Sequence, residues 1–189
     1  MKQRLRGGAR SKPAPVQAAP RPSSAPAIIL GVDPSLRGTG YGVIRASRAQ
    51  PALLAQGTIR CPADWEHSRC LLLIAQTLRE VIRAHQPTVC VVEGLFYAQN
   101  LKTAIVMGQA RGAAMVAAAE AGLPVHEIAP RKVKQAIVGY GAAQKIAVAK
   151  MVQRLLGLAA VPEPDAADAL ALALAFTQNR PTLAAPRRI

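Results

Sequence analysis

The sequence predicts an α/β domain: a mixed five-stranded sheet flanked by helices. Three observations carry that expectation. Three short apolar runs come first, joined by polar or glycine-rich links, and read as a β-meander. Helical and strand patterns then alternate, which favours parallel pairing through helical crossovers. Finally, VCVV at 89–92 is apolar without interruption, as in a strand buried on both faces. At 189 residues, 51% of them hydrophobic, the chain suits one domain with a sizeable core. Aromatics make up only 3%, so that core must be aliphatic and packed with small residues.

Order is expected to begin near Ala27. Residues 28–32 form a buried strand closed by Asp33-Pro34. Gly38-Thr39-Gly40 reads as a turn, followed by strands at 41–46 and 53–61. The set Gly38, Gly40 and Gly42 reads as a tight hairpin rather than a phosphate loop, because a strand follows and not a helix. Leu71, Ile74, Leu78, Val81 and Ile82 fall at helical spacing and predict a helix over 66–85, stopped by Pro87. The strand at 89–92 ends in Glu93, and a polar, aromatic loop occupies 94–100. A helix over 101–121 carries Gly108, Gly112 and seven alanines between Ala110 and Ala121, a surface suited to close packing against a sheet. A fifth strand at 124–128 holds His126, read as structural. Helices at 132–138, 143–156 and 164–178 complete the chain, and no internal repeat is visible.

The charge is unevenly spread. There are 24 Lys and Arg against 10 Asp and Glu. Residues 1–26 hold six of the bases and 180–189 three more, with no acid in either flank. Five prolines between Pro13 and Pro26 oppose a helix there, so 1–26 reads as a disordered basic arm, 27–179 as the folded domain and 180–189 as a basic tail. The arm is rich in Arg and free of acids, so organelle targeting is the alternative to a cytoplasmic chain. No apolar stretch reaches membrane-spanning length. Cys61, Cys70 and Cys90 form no paired framework and read as reduced thiols of an intracellular protein. Cys61, His67 and Cys70 lack a fourth ligand and a familiar zinc spacing.

Acids are scarce, so their places are informative. Asp33 and Glu93 each end an apolar run, where ligands collect in open α/β sheets. Asp165 and Asp168 lie one turn apart on one helix face, in its first turn. Singly, each has an ordinary explanation: a turn carboxylate, a solvated strand end, a helix cap. Together they have the oxygen-donor chemistry of a hard-cation site, and such close carboxylates need a cation to be stable. A basic body around them suits a polyanionic partner.

The blocks IILGVDPSLRGTGYGVI, VVEGLFYAQN, GQARGAA, RKVKQAIVGYGAAQK and DAADALALAL together resemble the RuvC family of Holliday-junction resolvases, over about residues 28–176. The resemblance implies a ribonuclease H-like fold. It also implies a homodimer that cuts four-way DNA junctions by paired symmetric nicks, leaving 5′-phosphate ends, in recombination and repair. By motif, Asp33, Glu93, Asp165 and Asp168 are the implied ligands of two Mg²⁺ ions, with Mn²⁺ as a substitute. Lys134 and Lys145 match basic positions near the cleaved strand. Arg131 and Lys132 are expected backbone contacts. Phe96 matches an aromatic that stacks on a base at the junction centre, with Tyr97 beside it. A branch-migration complex of RuvA and RuvB type proteins is the implied partner. Ser35, where a glycine is common, and Cys70, in place of a large aliphatic, depart from the pattern.

Three other readings compete. A phosphotransferase of the actin type would need two such domains. A noncatalytic DNA-binding module has no use for four intact acids. A nuclease with another substrate would share fold and metals, so only substrate choice separates it.

Overall fold

The computed structural model describes residues 27–47, 49–94, 100–178 and 187–189. The arm at 1–26 and the loop aromatics Phe96 and Tyr97 lie outside those residues. In chain order the elements are β1 (Ile28–Asp33), β2 (Gly38–Arg45), β3 (Ala52–Arg60), α1 (His67–His85), β4 (Val89–Glu93), α2 (Leu101–Glu120), β5 (Val125–Ile128), α3 (Pro130–Val138), α4 (Lys145–Leu156), α5 (Pro164–Gln178) and β6 (Arg187–Arg188).

The strands form one mixed sheet in the order β3-β2-β1-β4-β5-β6. β1, β2 and β3 are antiparallel neighbours, while β4 runs parallel to both β1 and β5. The five expected strands are all present. A two-residue sixth strand, β6, pairs antiparallel with β5 in the stretch read as a basic tail. Two arginines carry no apolar alternation, so nothing in the sequence marks that pairing.

The sheet separates two cores, and the period-2 alternation of each strand assigns its side chains to them. Ile29, Ile44, Val89, Val91 and Ile128 point to the layer of α3, α4 and α5. Leu30, Val32, Val43, Cys90 and Val92 point to the layer of α1 and α2. The first layer is dominated by α5, whose residues from Ala166 to Ala175 are buried on nearly every side, apart from Asp168. A helix that is apolar all round must be enclosed, and α5 lies between the sheet and the α3–α4 pair.

The glycines of β2 overturn the turn assignment. Gly38, Gly40 and Gly42 lie within the strand, and all three face α5. A Cβ on Gly40 would stand 1.9 Å from the Asp165 carbonyl oxygen. On Gly42 it would meet the Leu170 side chain at 2.5 Å, and on Gly31 of β1 the Ala169 carbonyl at 2.0 Å. These glycines let a helix ride directly on the backbone of two strands. The turn lies earlier, at 34–37, where the Ser35 amide donates to Thr39 Oγ1, which donates back to the Ser35 carbonyl.

The opposite correction applies to α2. Gly108 and Gly112 approach nothing: a Cβ on either meets no atom within 4 Å. The close packing is made instead by Ala110, Ala114, Ala117 and Ala118, buried with α1 in the second core. Cys61, Cys70 and Cys90 are free, buried thiols. Burial pushes Cys61 up to about 11 and Cys90 up to about 12, so both stay protonated and inert at neutral pH.

Candidate active site

Strand parity and register build the site. Asp33 follows Ile29 and Gly31 on the α5 face of β1, and Glu93 follows Val89 and Val91 on the same face of β4. β1 and β4 pair Val32 with Val92, so the next residues on each strand, Asp33 and Glu93, stand side by side at the carboxyl ends of parallel strands. Asp165 and Asp168 occupy the first turns of α5, held over the same strand ends by the glycine-backed contact of that helix with β1 and β2. Asp165 Oδ2 lies directly over Gly38, where an added Cβ would stand 2.9 Å away.

Burial and the neighbouring acids act together on Asp33 and Glu93. Asp33 is pushed up to about 7 by burial first, then by the charges of Glu93, Asp168 and Asp165, with Lys145 opposing. Glu93 is also raised, by burial and then by Asp168. Lys145, a hydrogen bond with Asp33 and the Lys134 charge act the other way. Lys145, the first residue of α4, donates from Nζ to Asp168 Oδ2 at 2.6 Å. That contact, with the Asp33 and Glu93 charges behind it, holds the ammonium above its usual range.

Lys145 bonds Asp168 directly, while Lys134 of α3 acts on Glu93 only through its charge, as the weakest of the influences on that carboxyl. Arg131 and Lys132, in the first turn of α3, are exposed to solvent, with the Arg131 stem packed on Gly141. His126 packs against Phe176 with the rings tilted and their centroids 5.1 Å apart, in keeping with its structural reading.

Among the described residues, no three His, Cys, Asp or Glu side chains stand close enough to hold an ion as placed. Neighbouring carboxylates repel one another, and Lys145, bonded to Asp168, offsets part of that repulsion. The donor set fits a hard divalent cation: four carboxylates, no thiolate or imidazole among them. Asp33 and Glu93 would hold it from the sheet, Asp165 and Asp168 from the helix.

This arrangement has a pH signature. The ordinary value of the Asp33 carboxyl is 3.8, and in the fold it is about 7. Between those values the folded state binds more protons than the unfolded one. The stability this group contributes is therefore full below pH 3.8 and is lost as pH rises to about 7. In EDTA, the melting temperature should fall more steeply between about pH 4 and pH 7 for the native chain than for Asp33→Asn. Saturating Mg²⁺ should offset that fall near neutral pH. Parallel slopes for the two proteins in EDTA would show that Asp33 is not protonated by its surroundings.

Sequence reasoning assigns no role to one residue beside this cluster. Arg111, in the middle of α2, donates from Nη1 to the Glu93 carbonyl and from Nη2 to Glu127 Oε2 at 2.5 Å. An arginine in an alanine-rich helix was the available signal, inside the block GQARGAA.

Comparison with known proteins settles the family. The family model described as crossover junction endodeoxyribonuclease RuvC matches residues 29–176. The chain belongs to the RuvC family. A member from Shewanella amazonensis is 48% identical over 159 residues, covering 84% of this chain and 91% of its own length. One from Chloroflexus aurantiacus is 43% identical over 155 residues, covering 82% and 94%. Among solved structures, Thermus thermophilus RuvC in complex with a Holliday junction substrate superposes with a TM-score of 0.76 at 34% identity, covering 81% of this chain and 94% of that one. The yeast mitochondrial Holliday junction resolvase shares the fold, with a TM-score of 0.59 at 14% identity. The architecture is thus the ribonuclease H-like one expected from the sequence. RuvC proteins are metal-dependent nucleases, which agrees with the all-carboxylate donor set. No helix among the described residues is long and apolar enough to cross a membrane.

Proposed function

We propose that this chain resolves four-way DNA junctions by paired symmetric nicks, with Asp33, Glu93, Asp165 and Asp168 holding two Mg²⁺ ions. The observation that carries this reading is that Asp33 and Glu93 at the ends of parallel strands meet Asp165 and Asp168 of α5, where burial first and then the neighbouring acids push Asp33 up to about 7. Crowded, buried like charges are costly unless a cation uses them. Bound there, the two ions would neutralise the scissile phosphate and make a water nucleophilic at neutral pH.

The chain's own groups have separate tasks. Asp33, central to the cluster, sets the spacing of the site. Glu93 fixes it from β4, and the α5 pair closes it from the opposite side. Lys145, released from Asp168, would neutralise phosphate charge, and Lys134, whose charge is felt at Glu93, would do the same. Arg131 and Lys132, exposed at the start of α3, are suited to backbone contacts along an incoming arm. Phe96 and Tyr97 would stack on unpaired bases at the junction centre. Mn²⁺ would substitute for Mg²⁺. The reading extends to a homodimer, so that two sites cut opposing strands. It also places the protein in the cytoplasm, in recombination and repair, beside RuvA and RuvB type proteins.

The test offers a synthetic four-way junction and a matched linear duplex, each with Mg²⁺ or EDTA. Symmetric nicking of the junction alone, only with Mg²⁺ and leaving 5′-phosphate ends, is the expected result. Efficient cutting of the linear duplex, or no cutting of any junction sequence tried, would overturn it.

A further inference from the structure

We infer that Arg111 is a positioning residue that sets where the Glu93 carboxylate stands and thereby tunes divalent-cation affinity; this rests on the metal site proposed above. Glu93 is the last residue of β4. On one side, the Gly94 amide donates to the Ile128 carbonyl at 3.0 Å and secures the strand end to β5. The Glu93 carbonyl accepts from Arg111 Nη1. The other arm of the same guanidinium bonds Glu127 Oε2 on β5, the register partner of Val92. One planar fork therefore ties together the helix α2, the final peptide of β4 and the neighbouring strand.

The geometry favours a specific task over general adhesion. The Arg111 and Glu127 side chains are only 11% and 17% exposed, so solvent barely competes for the pair. A fork with fixed angles holds two acceptors in one relative orientation, which a lysine ammonium cannot do. Rotation of the Glu93 peptide would swing its side chain, and a carboxylate at a metal site tolerates only small displacements. Groups that orient a ligand from behind typically change metal affinity or activity ~10–100-fold when replaced. Among the described residues Arg111 bonds the Glu93 carbonyl and Glu127 rather than the Glu93 carboxylate, so its effect on that carboxylate passes through the Glu93 backbone.

The experiment measures Mn²⁺ binding by calorimetry, junction binding in EDTA and single-turnover cleavage. Arg111→Lys should weaken Mn²⁺ binding by ~10-fold or more and slow cleavage, with partial recovery at high Mn²⁺. Junction affinity in EDTA should stay within about 2-fold of the native chain, because the phosphate-facing groups are intact. Glu127→Gln supplies the contrast: it removes the ion pair but leaves the contact with the Glu93 carbonyl, so Mn²⁺ affinity should be retained even if the melting temperature falls. If Arg111→Lys does not fold, the pair Arg111→Gln with Glu127→Gln replaces two charges by two amides and should show the same loss of Mn²⁺ affinity. Native Mn²⁺ affinity in an arginine variant, or an equal loss in Glu127→Gln alone, would overturn the inference. Asp33→Asn separates the two proposals: if it binds Mn²⁺ as the native chain does, the metal-site reading itself fails.

Discussion

Replacing Gly40 with alanine should disable cleavage without touching any charged group. The new Cβ would lie 1.9 Å from the Asp165 carbonyl oxygen and 2.4 Å from its carbonyl carbon. Both are backbone atoms, so no side-chain rotation can clear the space. The start of α5 must lift from β2 by roughly 1 Å or the strand must bend, because packed interiors have no spare volume. Overpacking of this kind costs about 1–3 kcal/mol in stability. The larger effect is on the site. Asp165 and Asp168 ride on the displaced turn, and a 1 Å misplacement can cost ~100-fold in rate. Single-turnover cleavage of a junction should fall by that order, while urea denaturation reports a folded protein of reduced stability. Gly108→Ala is the matched control: its Cβ meets nothing within 4 Å, and alanine favours a helix by about 1 kcal/mol, so stability should hold or rise. Native stability and rate in Gly40→Ala would mean that α5 does not ride on β2 as described.

Asp33→Asn should lose cleavage by ~1,000-fold or more, as expected when several kcal/mol of cation-borne stabilisation are removed. Junction binding in EDTA should persist or tighten, because one negative charge leaves a surface meant for phosphates. The same substitution should stabilise the cation-free protein near neutral pH. Asp33 is pushed up to about 7 by burial and by its acidic neighbours, so its ionised form works against the fold. A neutral amide removes that conflict, which is the expected trade between a strained site and stability. Thermal melts in EDTA at about pH 8 should therefore show the variant melting above the native chain, and Mg²⁺ should raise its melting temperature little. Loss of junction binding as well would make Asp33 a structural residue.

Much of this was readable in the chain. The i, i+3 pair on α5 and the two acids at strand ends are local patterns, set by the helical and strand periods. Charge scarcity made them visible. Parity even predicts that Asp33 shares a face with Ile29 and Gly31, and Glu93 with Val89 and Val91. The roles of glycines were harder to read. Gly38, Gly40 and Gly42 look like a turn because glycine is common in turns, yet here their missing side chains make room for α5. Gly108 and Gly112 look like packing positions and face open space. A glycine's function lies in what stands opposite, and that is not written at its own position.

The sequence by itself determined the order of the five main strands and the helices, the four candidate ligands and the likeness to the RuvC family, because these follow from local periodicity and from matching blocks of residues. Only the tertiary structure decided that β1 and β4 are neighbours in a register that sets Asp33 beside Glu93. It alone revealed that Lys145 answers Asp168 across 23 residues and that Arg111 reaches both Glu93 and Glu127. Those contacts depend on the side-chain reach and relative placement of elements distant in the chain. Burial gives the Arg111–Glu127 pair its weight, since a charge shielded from water must find its partner within the fold.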